Sequence, residues 1–545
     1  MTIEMRVGDS NFFASSKFLI VDDFQGMRSM LATVLRNCGA NPRSIDSAAT
    51  GSEAVALLRR NRYDVVLCDF NLGPGQNGMQ ILEEARFRQL IGPSCCWIMV
   101  TAEKTNDIFM STAEVQPDAY LVKPVTESIL SGRIQKILAR KEAFIEIDQA
   151  IAAKDYLKAV RLCDERAASD KANAIELLRV KCELLMQSGQ TDKARASYEK
   201  ALSVREVPWA QLGLAKTCVM AGALEEARSM LETLVDHQRT YLEAYDALAQ
   251  VYVALGEPER AESILDRALS LSPNSHARQR TMGELALKTG KLDRAESAFR
   301  KTLSLSEHSA RKTPDAYLGL AKTVSGKANP EEALKVLEQM GKTFEGEEVR
   351  LKAKSVEGLV YQQNGQPEKA KAVARELVGL IEQGQAKLDS TATREVAELL
   401  LSTGEQEKGL ALLQAEVMNN PEDLATLDSV REIFRKSGLV DEGNELVERS
   451  RQEAIEMMNA GTLLARDGCY EEAVTKMREA LLRMPRNVRL LFNAAHVMLA
   501  HLEKNGSDAA LLREVRTHLL TANQLAPGES RFALLMGKLE ALGKA

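Results

Sequence analysis

Hydrophobic and polar positions along this chain follow two different rules, and the change falls near residue 140. Before it, short and almost unbroken apolar runs alternate with segments of helical spacing. The runs are KFLIVDD (17–23), SIDSA (44–48), YDVVLCDF (63–70), CWIMVTA (96–102) and AYLVKPV (119–125). Between them lie stretches such as GMRSMLATVLRNCG and GSEAVALLRRNR. A strand that is apolar at every position must be covered on both faces, which a parallel sheet flanked by helices achieves. The pattern predicts an α/β domain with five parallel strands in a doubly wound arrangement. Any active crevice would lie at the carboxyl ends of those strands.

Past Phe144 the strand signals stop and a helical beat begins. Gly189, Gly222, Gly256 and Gly290 stand 33, 34 and 34 residues apart. Five residues after each comes Ala194, Ala227, Ala261 or Ala295, and nine after each comes Tyr198, Leu231, Leu265 or Phe299. The unit is fullest in YDALAQVYVALGEPERAESILDRALSLSP, closed by Pro273. A helix pair with one apolar face cannot bury it alone, so small residues at the crossings and stacking of neighbours build a shared core. This pattern resembles the tetratricopeptide repeat. Weaker copies follow around Ala333, Gly365, Gly404 and Gly438, a clearer one at Gly468 and Ala473, and a degenerate one precedes the run near Ala159. The expectation is an all-α superhelix of about ten units over residues 141–545, with the repeat spacing weakest between 310 and 450.

Composition narrows the class. Apolar residues make up 45% and aromatics 5% of the 545 residues, so packing rests on Ala, Leu, Val and Met. A net charge of −6 argues against broad attraction to nucleic acid or anionic membrane. The eight cysteines form no CxxC pair, which suits reduced thiols in the cytoplasm. Neither a signal peptide nor an apolar run of spanning length is visible, so a soluble, cytoplasmic protein without membrane contact is expected. The six histidines all fall in the repeats without metal-ligand spacing.

Chemistry clusters at the predicted strand ends. The first ends in Asp22 and Asp23, the third in Asp69, the fourth in Thr101, and the fifth carries Lys123-Pro124. Gathered carboxylates repel unless a cation sits among them, and a hard divalent ion such as Mg²⁺ suits their oxygens. A carboxylate flanked by a metal, an ammonium and a hydroxyl suits phosphoryl transfer to that carboxylate. Residues 17–140 thus resemble the receiver domain of two-component response regulators, a flavodoxin-like fold. By that resemblance Asp69 is the phosphoacceptor, and Mg²⁺ is held by Asp22, Asp23, Asp69 and the backbone carbonyl of Asn71. Lys123 contacts the phosphoryl group and precedes a cis peptide to Pro124. Thr101 is the switch hydroxyl, and Tyr120 the aromatic that turns inward with it. One departure stands out: the loop FNLGPGQNG is one residue longer than the family's commonest form.

Between Arg133 and Ser188 there is neither Gly nor Pro, so the last receiver helix is expected to run into, or pack on, the first repeat. The resemblances together imply a phosphorylation-controlled response regulator with no separate catalytic output domain. A histidine kinase or phosphotransfer protein would supply the phosphoryl group, which the domain itself would later release. The repeats would bind a protein partner. Receivers of this kind also form homodimers through the face of helix 4, strand 5 and helix 5. Two rivals stand beside this reading: a constitutive scaffold localised by its receiver, and a transcription regulator whose repeats touch nucleic acid.

Overall fold

The computed structural model describes residues 11–73, 75–102, 117–307, 309, 312–382, 388–506, 508–526 and 529–543. After a short helix α1 (Asn11–Ser15) come β1 (Phe18–Val21), α2 (Gln25–Asn37), β2 (Ile45–Ala48), α3 (Gly51–Arg60) and β3 (Val65–Asp69). Then follow α4 (Gly78–Phe87), β4 (Cys96–Thr101), β5 (Ala119–Val122) and α5 (Glu127–Lys141). The five strands are all parallel, in the order β2-β1-β3-β4-β5. Strand order therefore reverses between β1 and β3, which is where a doubly wound sheet opens its crevice.

Burial explains why these runs became strands. Every residue of β1, β3 and β4 is buried, whereas the edge strands β2 and β5 each keep exposed or half-exposed positions. Alternate residues feed two separate cores. Phe18, Ile20, Val65, Leu67, Ile98 and Val100 pack on one face with Leu31, Leu35, Leu130 and Ile134 from α2 and α5. Leu19, Val21, Val66, Trp97 and Met99 pack on the other with Val55, Leu58, Ile81 and Leu82 from α3 and α4. The strands are shorter than their apolar runs, and Asp22, Asp23 and Lys123 follow directly on the ends of β1 and β5, where Asp22 and Lys123 each donate one last backbone hydrogen bond to the neighbouring strand. The helix that would form part of the pairing face between β4 and β5 lies outside the described residues.

Helix α5 passes through a tight turn, Glu142–Phe144, straight into the helix Ile145–Ala152. From there every described element is a helix. The chain divides into two compact units. One holds Met1–Leu184, Ala194–Met282 and Arg300–Thr313, so the sheet and the repeats nearest to it fall together. The other holds Leu185–Lys193, Gly283–Phe299 and Pro314–Ala545.

The repeat beat has a plain physical basis. Gly189, Gly222, Gly256 and Gly290 adopt φ of 71°, 78°, 76° and 75°, the left-handed turn that joins the two helices of a pair. In the copy after Asp315 this position is Ala328, at φ 59°. Ala194, Ala227, Ala261, Ala295, Ala333, Ala370 and Ala473 are fully buried at the helix crossings. Gly443 takes that place in another copy, where a methyl would sit 2.3 Å from the Phe434 ring. One junction between repeats has no turn at all. The helix Val440–Arg466 runs 27 residues without interruption, joining the second helix of one pair to the first of the next. The segment ERSRQEAIEMM has no Gly or Pro to break it.

Candidate functional site at the strand ends

Parallel register brings the chemistry together. Val21 pairs with Cys68, and Asp69 with Val100, so Asp22, Asp69 and Thr101 all emerge at one end of the sheet. Carboxylate oxygens of Asp22, Asp23 and Asp69 lie within 4.8 Å of one another. Asp22 and Asp69 are buried, at 1% and 8% exposure, while Asp23 is exposed at the mouth. Local bonds set their pose. The Phe24 N–H donates to Asp22 Oδ1 at 2.9 Å. The Arg28 guanidinium donates to the carbonyls of Asp22 and Asp23 at 2.7 and 3.0 Å, pinning the end of β1 to the start of α2.

Lys123 supplies the cation. Its Nζ lies 2.9 Å from Asp22 Oδ2 and 2.8 Å from Asp69 Oδ2. The peptide between Lys123 and Pro124 is cis, and the Lys123 N–H donates to the Thr101 carbonyl at 2.8 Å. Burial pushes the Asp69 carboxyl above its ordinary value; Lys123 pulls it back, and the Asp22 charge pushes it up again. Burial would lower the Lys123 ammonium, but its two carboxylate partners hold it above the usual range. One ammonium thus serves a crowded pair of carboxylates with a third at the rim. The donor set is hard, anionic and open on the Asp23 side, which fits a divalent cation with oxygen ligands.

The remaining expected residues take graded positions. Thr101 is buried at the end of β4, opposite Val122. Tyr120 is half-buried on β5 and packs on the cluster containing Trp97 and Met99. Asn71 is exposed in the loop after β3. That loop is held where it enters α4. Asn77 and Gln80 form a reciprocal cap at the start of α4, and the Gln76 amide donates to Glu84 at 2.7 Å. Gly73 and Gly75 adopt φ of 69° and 110°, giving the long loop its bends; Pro74 lies outside the described residues. Sequence reasoning missed Arg28, Gln76 and Gly78. A cation one turn after the paired aspartates was the available signal for the first; Gly78 had none beyond its place after Asn77.

Comparison with known proteins identifies two families along the chain. The family model "Response regulator receiver domain" matches residues 18–135, and two tetratricopeptide repeat models match 185–251 and 242–285. The chemotaxis protein CheY of Pseudomonas aeruginosa is 33% identical over 124 residues, which cover 23% of this chain and 97% of that protein. CheY-3 of Vibrio cholerae is 32% identical over 124 residues, covering 23% and 92%. A tetratricopeptide repeat protein from Parabacteroides merdae aligns over 49% of this chain and 98% of its own at 18% identity, with a TM-score of 0.34. With an α/β receiver carrying an acidic crevice and a run of repeats behind it, the chain belongs to the response regulators.

Proposed function

We propose that Asp69 accepts a phosphoryl group from a histidine kinase or phosphotransfer protein in the cytoplasm, and that this controls protein binding by the repeats. The functional boundary falls between residues 17–140 and 141–545. The observation that carries the reading is the bridge of Lys123 between buried Asp22 and Asp69 at the point where strand order reverses.

In the step itself, an Asp69 carboxylate oxygen attacks the phosphorus of the donor's phosphohistidine. The P–O bond forms as the P–N bond breaks, and the electron pair returns to the donor's imidazole. A Mg²⁺ held by Asp22, Asp23, Asp69 and the Asn71 carbonyl would neutralise charge on the phosphoryl oxygens. Lys123 lies where its ammonium can leave the Asp69 oxygen for a phosphoryl oxygen. The Thr101 hydroxyl would follow the phosphoryl group, with Tyr120 turning in beside it. Water later attacks phosphorus, releasing inorganic phosphate and restoring the carboxylate.

Repeat surfaces bind proteins, and here that binding is the output, which makes the chain a switch whose own chemistry is confined to the receiver. Crosslinking mass spectrometry in native cells tests this, comparing wild type with Asp69→Ala. A partner crosslinked to the repeats is expected, with a yield that depends on Asp69. An identical set of crosslinks in both would contradict this reading and favour a constitutive scaffold.

A further inference from the structure

Helix α4 touches the phosphoacceptor at one end and the repeats at the other. At its start the Gly78 N–H donates to the Phe70 carbonyl at 2.9 Å. A methyl on Gly78 would sit 2.2 Å from the Asp69 carbonyl oxygen and 2.8 Å from the tip of Met99. No slack therefore separates the acceptor's backbone from the first turn of α4. The helix is anchored below by Ile81, Leu82 and Ala85, all fully buried. Close packing there leaves the Asp69 backbone little room to shift without displacing the first turn of α4.

The outer face of α4 and the turn beyond it meet the repeats within the same compact unit. Glu83 Oε1 lies 3.4 Å from His276 Nε2, at the start of the helix His276–Lys288. In the following turn the Ser94 N–H donates to Asp148 Oδ2 at 2.7 Å, from the helix Ile145–Ala152. A side chain on Gly92 would land 2.7 Å from the Asp148 carboxylate, so the two surfaces close without a gap there. These contacts are polar and individually weak, which suits a joint that small biases can move.

We propose that α4 and the turn Gly92–Ser94 form a docking surface for the chain's own repeats, and that phosphoryl transfer to Asp69 controls this dock. The proposal rests on the reading of Asp69 as acceptor. The route runs through the backbone at Asp69 and Gly78 and is independent of Thr101 and Tyr120.

Hydrogen exchange with mass spectrometry on the full chain tests it, in Mg²⁺ with and without a small acyl phosphate. The chains compared are wild type, Gly92→Val and Asp148→Ala; both variants lie away from the acceptor site. Without donor, each variant is expected to exchange about tenfold faster than wild type in Ile145–Ala152 and His276–Lys288. Adding donor to wild type is expected to change exchange in those same two helices, and the variants are expected to lose that response. Phosphoryl uptake in both variants, read by intact mass, reports that the receiver is folded. If Asp69 is phosphorylated yet wild-type exchange in these helices does not change, the proposal is overturned. It is overturned equally if both variants exchange like wild type. Failure of Asp69 to take up a phosphoryl group is read separately by mass and would sink the acceptor reading, and this proposal with it.

Discussion

Lys123 Nζ lies 2.8 Å from Asp69 Oδ2, and this ammonium is the cation that balances the buried end of the crevice. Replacing it by Met leaves Asp22 and Asp69 facing each other without a counter-charge. Because Lys123 is partly exposed, the cost should fall below that of breaking a fully buried pair, at about 1–3 kcal/mol. Mg²⁺ would then take over the neutralising role. Thermal unfolding should show Lys123→Met less stable than wild type without Mg²⁺, and stabilised more than wild type when Mg²⁺ is added. An equal response to Mg²⁺ in both would mean that the lysine and the ion do not share a site.

Two glycines of the receiver separate close packing from mere backbone freedom. Gly78→Ala forces a methyl against the Asp69 carbonyl and should cost about 1–3 kcal/mol through overpacking. Gly132, inside α5, has open space where a methyl would go, with nothing within 4 Å, so Gly132→Ala should stabilise by about 0.5–1 kcal/mol. Denaturant unfolding of the two variants checks the opposite signs.

The repeat turns give a similar pair. Ala328 holds a left-handed φ of 59° where neighbouring copies use glycine. Ala328→Gly relieves about 1 kcal/mol of backbone strain, partly offset by the greater freedom of an unfolded glycine. Gly256→Ala, at φ 76°, should cost about 1 kcal/mol. Chemical denaturation followed by far-ultraviolet dichroism should order the three proteins Ala328→Gly, wild type, Gly256→Ala. The reverse order would contradict the assignment of these turns.

Much of this was legible in the chain itself. The alternation of apolar runs with helical segments was enough for the sheet, because strands covered on both faces leave an unbroken apolar signature. The aspartates were legible because strand ends converge in that topology. The fused helix Val440–Arg466 was not, since the repeat signal resides in turn residues and that junction has none. Nor were the contacts of Asp148 with Ser94 or His276 with Glu83. Residues 54 and 193 positions apart in sequence carry no local pattern that announces their meeting.

Acidification should loosen the far end of the repeats. Burial, helped by nearby Arg478, lowers the His518 pKa below its ordinary 6.5, although Glu514 opposes the shift. Between the folded value and 6.5, the unfolded chain binds a proton that the folded chain refuses. Stability is therefore complete above 6.5 and falls as pH drops through this window. Thermal unfolding at stepped pH should show this loss in wild type and a smaller loss in His518→Gln. Identical profiles would remove His518 as its source.

The most direct test of phosphoryl transfer to Asp69 is the mass of the intact chain after incubation with Mg²⁺ and an acyl phosphate, with the modified residue located by fragmentation. One phosphoryl group is expected, carried by Asp69, absent from Asp69→Asn and lost when Mg²⁺ is chelated. A phosphoryl group that persists in Asp69→Asn, or none on the wild-type chain under these conditions, would contradict it.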